Sequence, residues 1–274
     1  MESLIGCGAA IDGQGVVSEV DRSRLYRTEG LILHRADFGE ADRLLTVYTP
    51  AYGLLRLLAK GARKPTSRKA GHVEPFTCVS LLVARGRNLD IVSQVETLEP
   101  FRRLRENLEL ASLSYYIAEL IAGFTEEGDS HPPLFDLTEA TLSRLCEASD
   151  PALALRFFEL RALGLLGYQP QLFLCITCQA PLEPVTNYFH PAAGGVVCPC
   201  HGEGLPNAVP LALPTFKVLR YMQTHPWDQV GALRIRPETH LDLESVLQSF
   251  IVYQLERRLR SVDFIHRLRR EAKV

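Results

Sequence analysis

The chain reads as an α+β multidomain protein: a small N-terminal β-barrel, then a helical bundle interrupted by a metal-binding insertion. Three observations predict this. Short apolar runs broken by turn residues fill Tyr26 to Glu96, helical periodicity replaces them after Pro100, and four cysteines crowd into a Pro- and Gly-rich stretch between helices. With 274 residues, 46% hydrophobic and 23% charged, the composition is ordinary for a globular protein of two or three domains. No apolar run reaches the ~18 residues that a bilayer requires. Glu2 stands where a secretory leader would carry Lys or Arg. A cytoplasmic protein is expected, with residues 1–24 as a flexible extension.

Residues 25–100 come first. Leu31–Arg35, Leu44–Tyr48, Leu54–Ala59, Cys78–Val83 and Leu89–Ser93 each predict a strand, with Gly39, Pro50, Gly53, Gly61, Pro75 and Gly86 between them. Five short strands with little helix between them predict a closed barrel. The OB-fold is the five-stranded candidate, and it grips single-stranded nucleic acid or another oligomer; the pattern also fits an SH3-like barrel.

The same segment carries a charge anomaly. Between Asp42 and Glu74 stand Arg43, Arg56, Lys60, Arg63, Lys64, Arg68 and Lys69, with no acid among them, on a chain whose net charge is only −2. A local positive field on a near-neutral protein marks either a solvated loop or a polyanion-binding surface, and the rest of the chain favours the second. Arg56, Lys60, Arg63, Lys64, Arg68 and Lys69 are the expected phosphate contacts, with Arg85 and Arg87 on the next hairpin extending the track. Tyr48, Tyr52 and Phe76 could stack on bases, although barrel core suits each of them better. Arg102, Arg103 and Arg105 either continue the cationic surface or pair with Glu106 and Glu109.

Helices are expected over residues 101–170 and 211–274. Leu104, Leu108, Ala111, Tyr115, Ala118 and Ala122 keep the spacing of one buried stripe. Asp150 before Pro151 is a helix start, and Gly167 before Pro170 is its stop. Tyr115, Tyr116, Phe157 and Phe158 fall within helical apolar periodicity and belong to core. A third run, Leu247, Ile251, Leu255 and Leu259, leads into Arg257, Arg258, Arg260, Arg267, Arg269, Arg270 and Lys273. Favourable interaction with a helix C-terminus is enough to explain these cations.

Residues 171–210 interrupt the bundle. Cys175-x-x-Cys178 is followed after nineteen residues by Cys198-Pro199-Cys200-His201. Two donor pairs facing each other across that interval follow the logic of a zinc ribbon. The usual spacing from Cys198 lands on His201, so Cys175, Cys178, Cys198 and His201 are the expected ligands of one structural Zn²⁺. Cys200 is the alternative fourth ligand, and His190 is a weaker candidate. With at least four donors the site can close, and neither H-E-x-x-H nor the deaminase pattern is present. The scattered Cys7, Cys78 and Cys146 fit reduced thiols.

The segments Gly39–Leu44, Thr49–Gly53, Ala59–Arg63, Ser67–Arg68 and Glu74–Phe76, with Cys175-x-x-Cys178 and the run from Phe189 through Gly194 and Gly195 to Cys198, resemble the RecO family of bacterial recombination mediators. The likeness covers about Tyr26 to Arg270. It implies an N-terminal OB-fold, a helical domain and an inserted zinc ribbon. It also implies binding of single- and double-stranded DNA, annealing of complementary strands, and loading of RecA onto strands coated by single-strand-binding protein (SSB). RecR, the SSB tail and RecF are the further partners it implies. The chain departs from the family at the second knuckle, commonly Cys-x-x-Cys. No nucleophile–base order, phosphate-binding loop or paired carboxylates stand out, so a non-enzyme is expected. The competing expectations are a protein-interaction adaptor without DNA affinity and a zinc hydrolase acting on nucleic acid.

Overall fold

The computed structural model describes residues 24–271, so the expected N-terminal extension, Cys7 and Lys273 lie outside the described residues. Five strands, β1 (Leu25–Phe38), β2 (Asp42–Thr49), β3 (Gly53–Ala59), β4 (Cys78–Ala84) and β5 (Asp90–Glu99), form a closed barrel in the order β1-β2-β3-β5-β4. Neighbouring strands are antiparallel except β3 and β5, which run parallel at Leu57↔Asp90 and Leu58↔Ile91.

Alternation along the strands fills the barrel. Leu45 and Val47, Leu55 and Leu57, then Val79, Leu81 and Val83 point inward at every second position and pack with Ile32 and Val92. Each side chain removed from water this way contributes about 1.5–3 kcal/mol. Gly30 belongs to this packing: a Cβ there would lie 2.5 Å from Val47 Cγ1. β1 carries a register shift between Ile32 and His34, and it extends well beyond the five residues expected from its apolar run.

Residues facing out of the barrel on one side join a second core. Leu31, Leu33, Tyr48, Phe76 and Cys78 pack with the helices α1 (Arg102–Glu106), α2 (Leu108–Phe124), α3 (Pro132–Glu147) and α4 (Pro151–Leu165). Tyr48 meets Phe135 at 5.8 Å and Phe76 meets Tyr115 at 4.8 Å between ring centroids. Tyr48 and Phe76 are therefore core, and Tyr52 is half-buried against Tyr26.

Asp150 caps α4 by accepting from Leu153 N at 2.9 Å, and Gly167 adopts φ +84° where that helix stops, both as expected. The stripe expected from Leu104 to Ala122 does not hold. Asn107 breaks the run and caps α2 by accepting from Leu110 N, and the buried face of α2 carries Leu110, Leu113, Ile117, Leu120 and Ile121. Leu108 and Tyr115 are exposed, at 61% and 43%; Tyr116, Phe157 and Phe158 are core as expected. Nearly all of α2 is apolar, so several stripes satisfy the same periodicity and tertiary packing selects among them.

After α4 come β6 (Asn187–His190), β7 (Gly195–Val197), α5 (Pro199–Gly202) and β8 (Val209–Leu211), with the strands in the order β7-β6-β8. Then follow α6 (Leu213–Thr224), α7 (Trp227–Val230), α8 (Pro237–Leu255) and α9 (Arg260–Glu271). The expected C-terminal run is split at Glu256, whose φ is +53°. Glu119 of α2 holds the start of α9 by accepting from Arg260 N and Ser261 N, each at 2.9 Å. Its carboxyl lies below the usual range: partial burial opposes the charge, and the Ser261 and Arg260 donors outweigh it.

The bundle also buries charge. Glu159 accepts from the Tyr116 hydroxyl and pairs with Arg156 at 3.1 Å. Burial pushes the Glu159 carboxyl up to about 7, against the pull of Arg156 and Tyr116.

Candidate nucleic-acid interface and metal centre

The cations expected on the barrel do not form one uniform set. Arg56, on the outward side of β3 opposite Thr46 of β2, is exposed, as are Lys60, Lys64 and Arg68 in the segment after β3. Arg85 and Arg87 are exposed on the β4–β5 hairpin, with the Arg85 guanidinium 5.2 Å from the Tyr26 ring centroid. None of these six has a carboxylate partner among the described residues.

Three other cations are committed to the fold. Arg43 shares Glu74 with Arg35. Lys69 is half-buried and donates to Val92 O at 2.6 Å; burial lowers its pKa, although Asp42 favours its charge. Arg63 is exposed but pairs with Asp37 at 3.3 Å and donates to Gly39 O at 3.2 Å. Together with Arg63 N to Ala41 O (2.9 Å) and Gly61 N to Asp42 Oδ1 (2.7 Å), these bonds tie the post-β3 loop to the β1–β2 turn.

Arg105 neither continues the surface nor pairs with a glutamate. It donates to Pro75 O, Thr77 Oγ1 and Pro100 O at 2.9, 3.2 and 2.7 Å, bridging barrel and bundle. Arg103 donates to Cys146 O, and Arg102 is exposed.

At the other candidate site the fold brings together Cys175, Cys178, Cys198 and His201, with all four ligand atoms within 4.8 Å of one another. The first pair sits on a tight turn in which Gln179 N donates to Cys175 O and Cys175 N donates to Ala180 O, both at 2.8 Å. The second pair is organised by α5. Cys198 is its N-cap, Pro199 opens it, and one turn carries His201 back beside Cys198, with Nδ1 3.1 Å from Cys198 Sγ. Cys200 is exposed and is not among the four clustered donors, whereas His201 is.

Backbone contacts hold the two pairs in register. Gln171 N donates to Gly194 O, Val196 N to Gln171 O, and Ile176 N to Val196 O, at 2.9, 2.9 and 3.0 Å. A Cβ on Gly195 would lie 2.7 Å from Gln171 O, so only glycine allows this approach. Burial opposes the Cys175 thiolate, yet N–H groups of Cys178, Cys198 and Thr177 bring its pKa down to about 6. Cys198 is pushed up to about 11, by burial and then by its contact with Cys175. One sulfur thus favours charge at the expense of its neighbour, a conflict that a shared divalent cation removes. Three sulfurs and one imidazole nitrogen suit tetrahedral Zn²⁺ with no position left open.

Comparison with known proteins agrees with both halves of the chain. The family model described as Recombination protein O N terminal matches residues 23–101, and Recombination protein O C terminal matches residues 105–263. A protein named DNA repair protein RecO from Roseiflexus sp. (strain RS-1) is 45% identical over 249 residues, covering 90% of this chain and 87% of the relative. Proteins of the same name from Desulforudis audaxviator and Dehalococcoides mccartyi are 39% identical over 244 residues and 34% over 245, each covering 89% of this chain and 97% and 96% of the relative.

Proposed function

The chain belongs to the RecO family of DNA repair proteins, and we propose that it serves recombinational repair by holding DNA on its barrel and annealing complementary strands. The strand order and the single parallel pair suit an OB-fold, whose binding surface is the β2–β3 face with the β1–β2 and β4–β5 loops. The observation that carries the reading is the placement of the six uncommitted cations. Arg56 lies on that face, Arg85 and Arg87 on the β4–β5 hairpin, and Lys60, Lys64 and Arg68 in the segment tied to the β1–β2 turn. Phosphate contacts of this kind position a strand without reading its sequence.

Annealing follows from the same charge. Cations that hold one strand screen its repulsion of a second, and base pairing then drives the union, so no catalytic group is needed. In this reading residues 25–100 form the DNA-binding domain, 101–170 with 211–274 the helical domain, and 171–210 a zinc-ribbon insertion. Zn²⁺ on Cys175, Cys178, Cys198 and His201 would supply cross-linking of the insertion and no reaction step. No helix among the described residues is long and apolar enough to cross a membrane; a cytoplasmic, nucleoid-associated protein is proposed. RecR, the acidic tail of SSB, RecF and RecA are the proposed partners.

The test is oligonucleotide binding and strand annealing by the full-length metallated protein at low ionic strength. Saturable, salt-sensitive binding with faster annealing supports the reading. A folded preparation that ignores oligonucleotides refutes it and leaves the adaptor role.

A further inference from the structure

The C-terminal arginines need more than a helix dipole to explain them. Glu244 takes two of the α9 side chains: Arg269 donates to both its carboxylate oxygens at 2.7 and 2.9 Å, and His266 Nε2 lies 3.1 Å away. Glu244 and Glu119 thus fix α9 on α8 and α2. Arg258, Arg260, Arg267 and Arg270 remain exposed, and none has a carboxylate partner among the described residues.

Between α8 and α9 runs an open groove of about 790 Å³. Arg267 and Arg270 line it together with Ser245, Gln248 and Asp263, and Leu241 is the only apolar side chain among its lining residues. Arg260 and Arg267 are seven residues apart, on one side of the helix. A docking peptide usually anchors on several apolar or aromatic side chains, and here Leu241 alone would have to serve. Two carboxylates also line the groove: Glu244 is taken up by Arg269 and His266, and Asp263 is outnumbered by Arg267 and Arg270, whose forks, beside a hydroxyl and an amide, suit phosphate oxygens.

We propose that the α8–α9 groove is a second binding site for the nucleic-acid backbone, where Arg267 and Arg270 hold a strand while the barrel holds another. The proposal rests on the barrel reading, because its use is to give annealing a second cationic surface. Arg269 and His266 keep α9 docked and are not strand contacts.

The experiment compares the full-length metallated protein with Arg267→Glu/Arg270→Glu, with Arg267→Gln/Arg270→Gln as a milder variant should the first unfold. Binding of a short single-stranded oligonucleotide is titrated at low salt, and annealing of complementary oligonucleotides is timed. The wild type should take up a second oligonucleotide and the variants only one. The event lost in the variants should carry a shallow salt slope of about −1.4, from two single-strand phosphate contacts, and the event that remains should keep the slope of the barrel site. Annealing should slow roughly ten-fold or more, the scale of electrostatic steering.

A wild type that saturates with one oligonucleotide, or folded variants that anneal like wild type, overturn the proposal and leave the barrel reading intact. An Asp- and Glu-rich peptide that binds the groove in preference to the oligonucleotide overturns it in favour of a protein partner. Loss of all binding in a barrel variant with the groove untouched also overturns it, whereas undiminished binding in that variant counts against the barrel and for the groove.

Discussion

Replacing Lys60, Lys64 and Arg87 with glutamate removes half of the six uncommitted barrel cations without touching the fold. All three side chains are exposed, and none is tied to a carboxylate among the described residues. If each of the six meets one phosphate of a single strand, log K should fall with log salt at a slope of about −4. Raising salt from about 50 to about 200 mM then weakens wild-type binding roughly 300-fold. With three contacts left the slope should be about −2 and the same change should cost only about 20-fold. Fluorescence anisotropy of a labelled oligonucleotide over a salt series measures both slopes, and a thermal melt checks that the variant is folded. Arg43, Arg63 and Lys69 are left alone because reversing them breaks internal bonds and confounds the result. A folded triple variant with the wild-type slope and affinity would show that these cations touch no phosphate.

Other consequences concern the metal centre and the bundle. His201→Ala should sharply weaken Zn²⁺ retention while Cys200→Ser keeps it, as measured by metal released to a chromogenic chelator; the opposite pattern would make Cys200 the ligand. Chelation should lower the melting temperature, since a closed site contributes its binding energy to folding. Gly195→Ala should cost about 1–3 kcal/mol through the clash with Gln171 and loosen the metal pairs, read from denaturant midpoints and metal content. Glu159 sits above its unfolded value of 4.5, at about 7, so the folded state holds the extra proton between these values. Its contribution to stability is complete below about 4.5 and is lost as pH climbs to about 7. Stability of wild type relative to Glu159→Gln should decline over that window; an advantage growing with pH would contradict the sign.

Much of this is legible because short apolar runs and turn residues are local signals. Leu44–Tyr48 and Leu54–Ala59 announce strands, and Asp150 with Pro151 announces a helix start. Cysteine spacing announces three of the four clustered donors. The fourth is ambiguous in a linear count, because choosing His201 over Cys200 depends on the helical turn that Pro199 opens. Long-range competition leaves no local trace. Nothing near Lys69 says that Val92 O will take its ammonium, and nothing near Arg105 says that Pro75, Thr77 and Pro100 will enclose it. The exposed side of α2 escapes for a related reason: an almost wholly apolar helix leaves its orientation to its neighbours. Nothing in the spacing of Arg156 and Glu159 says that the pair is internal; only the packing of the helices around it makes it so.

Because Leu31, Leu33, Tyr48 and Phe76 are shared with the helices, one flank of the barrel is permanently walled off. A polymer can therefore lie against the barrel only from the opposite flank and cannot be encircled. Such an open berth permits loading in mid-strand, with no need to thread a free end. On the proposed reading it would also leave the outward side of a held strand open to solvent, available to whatever approaches next.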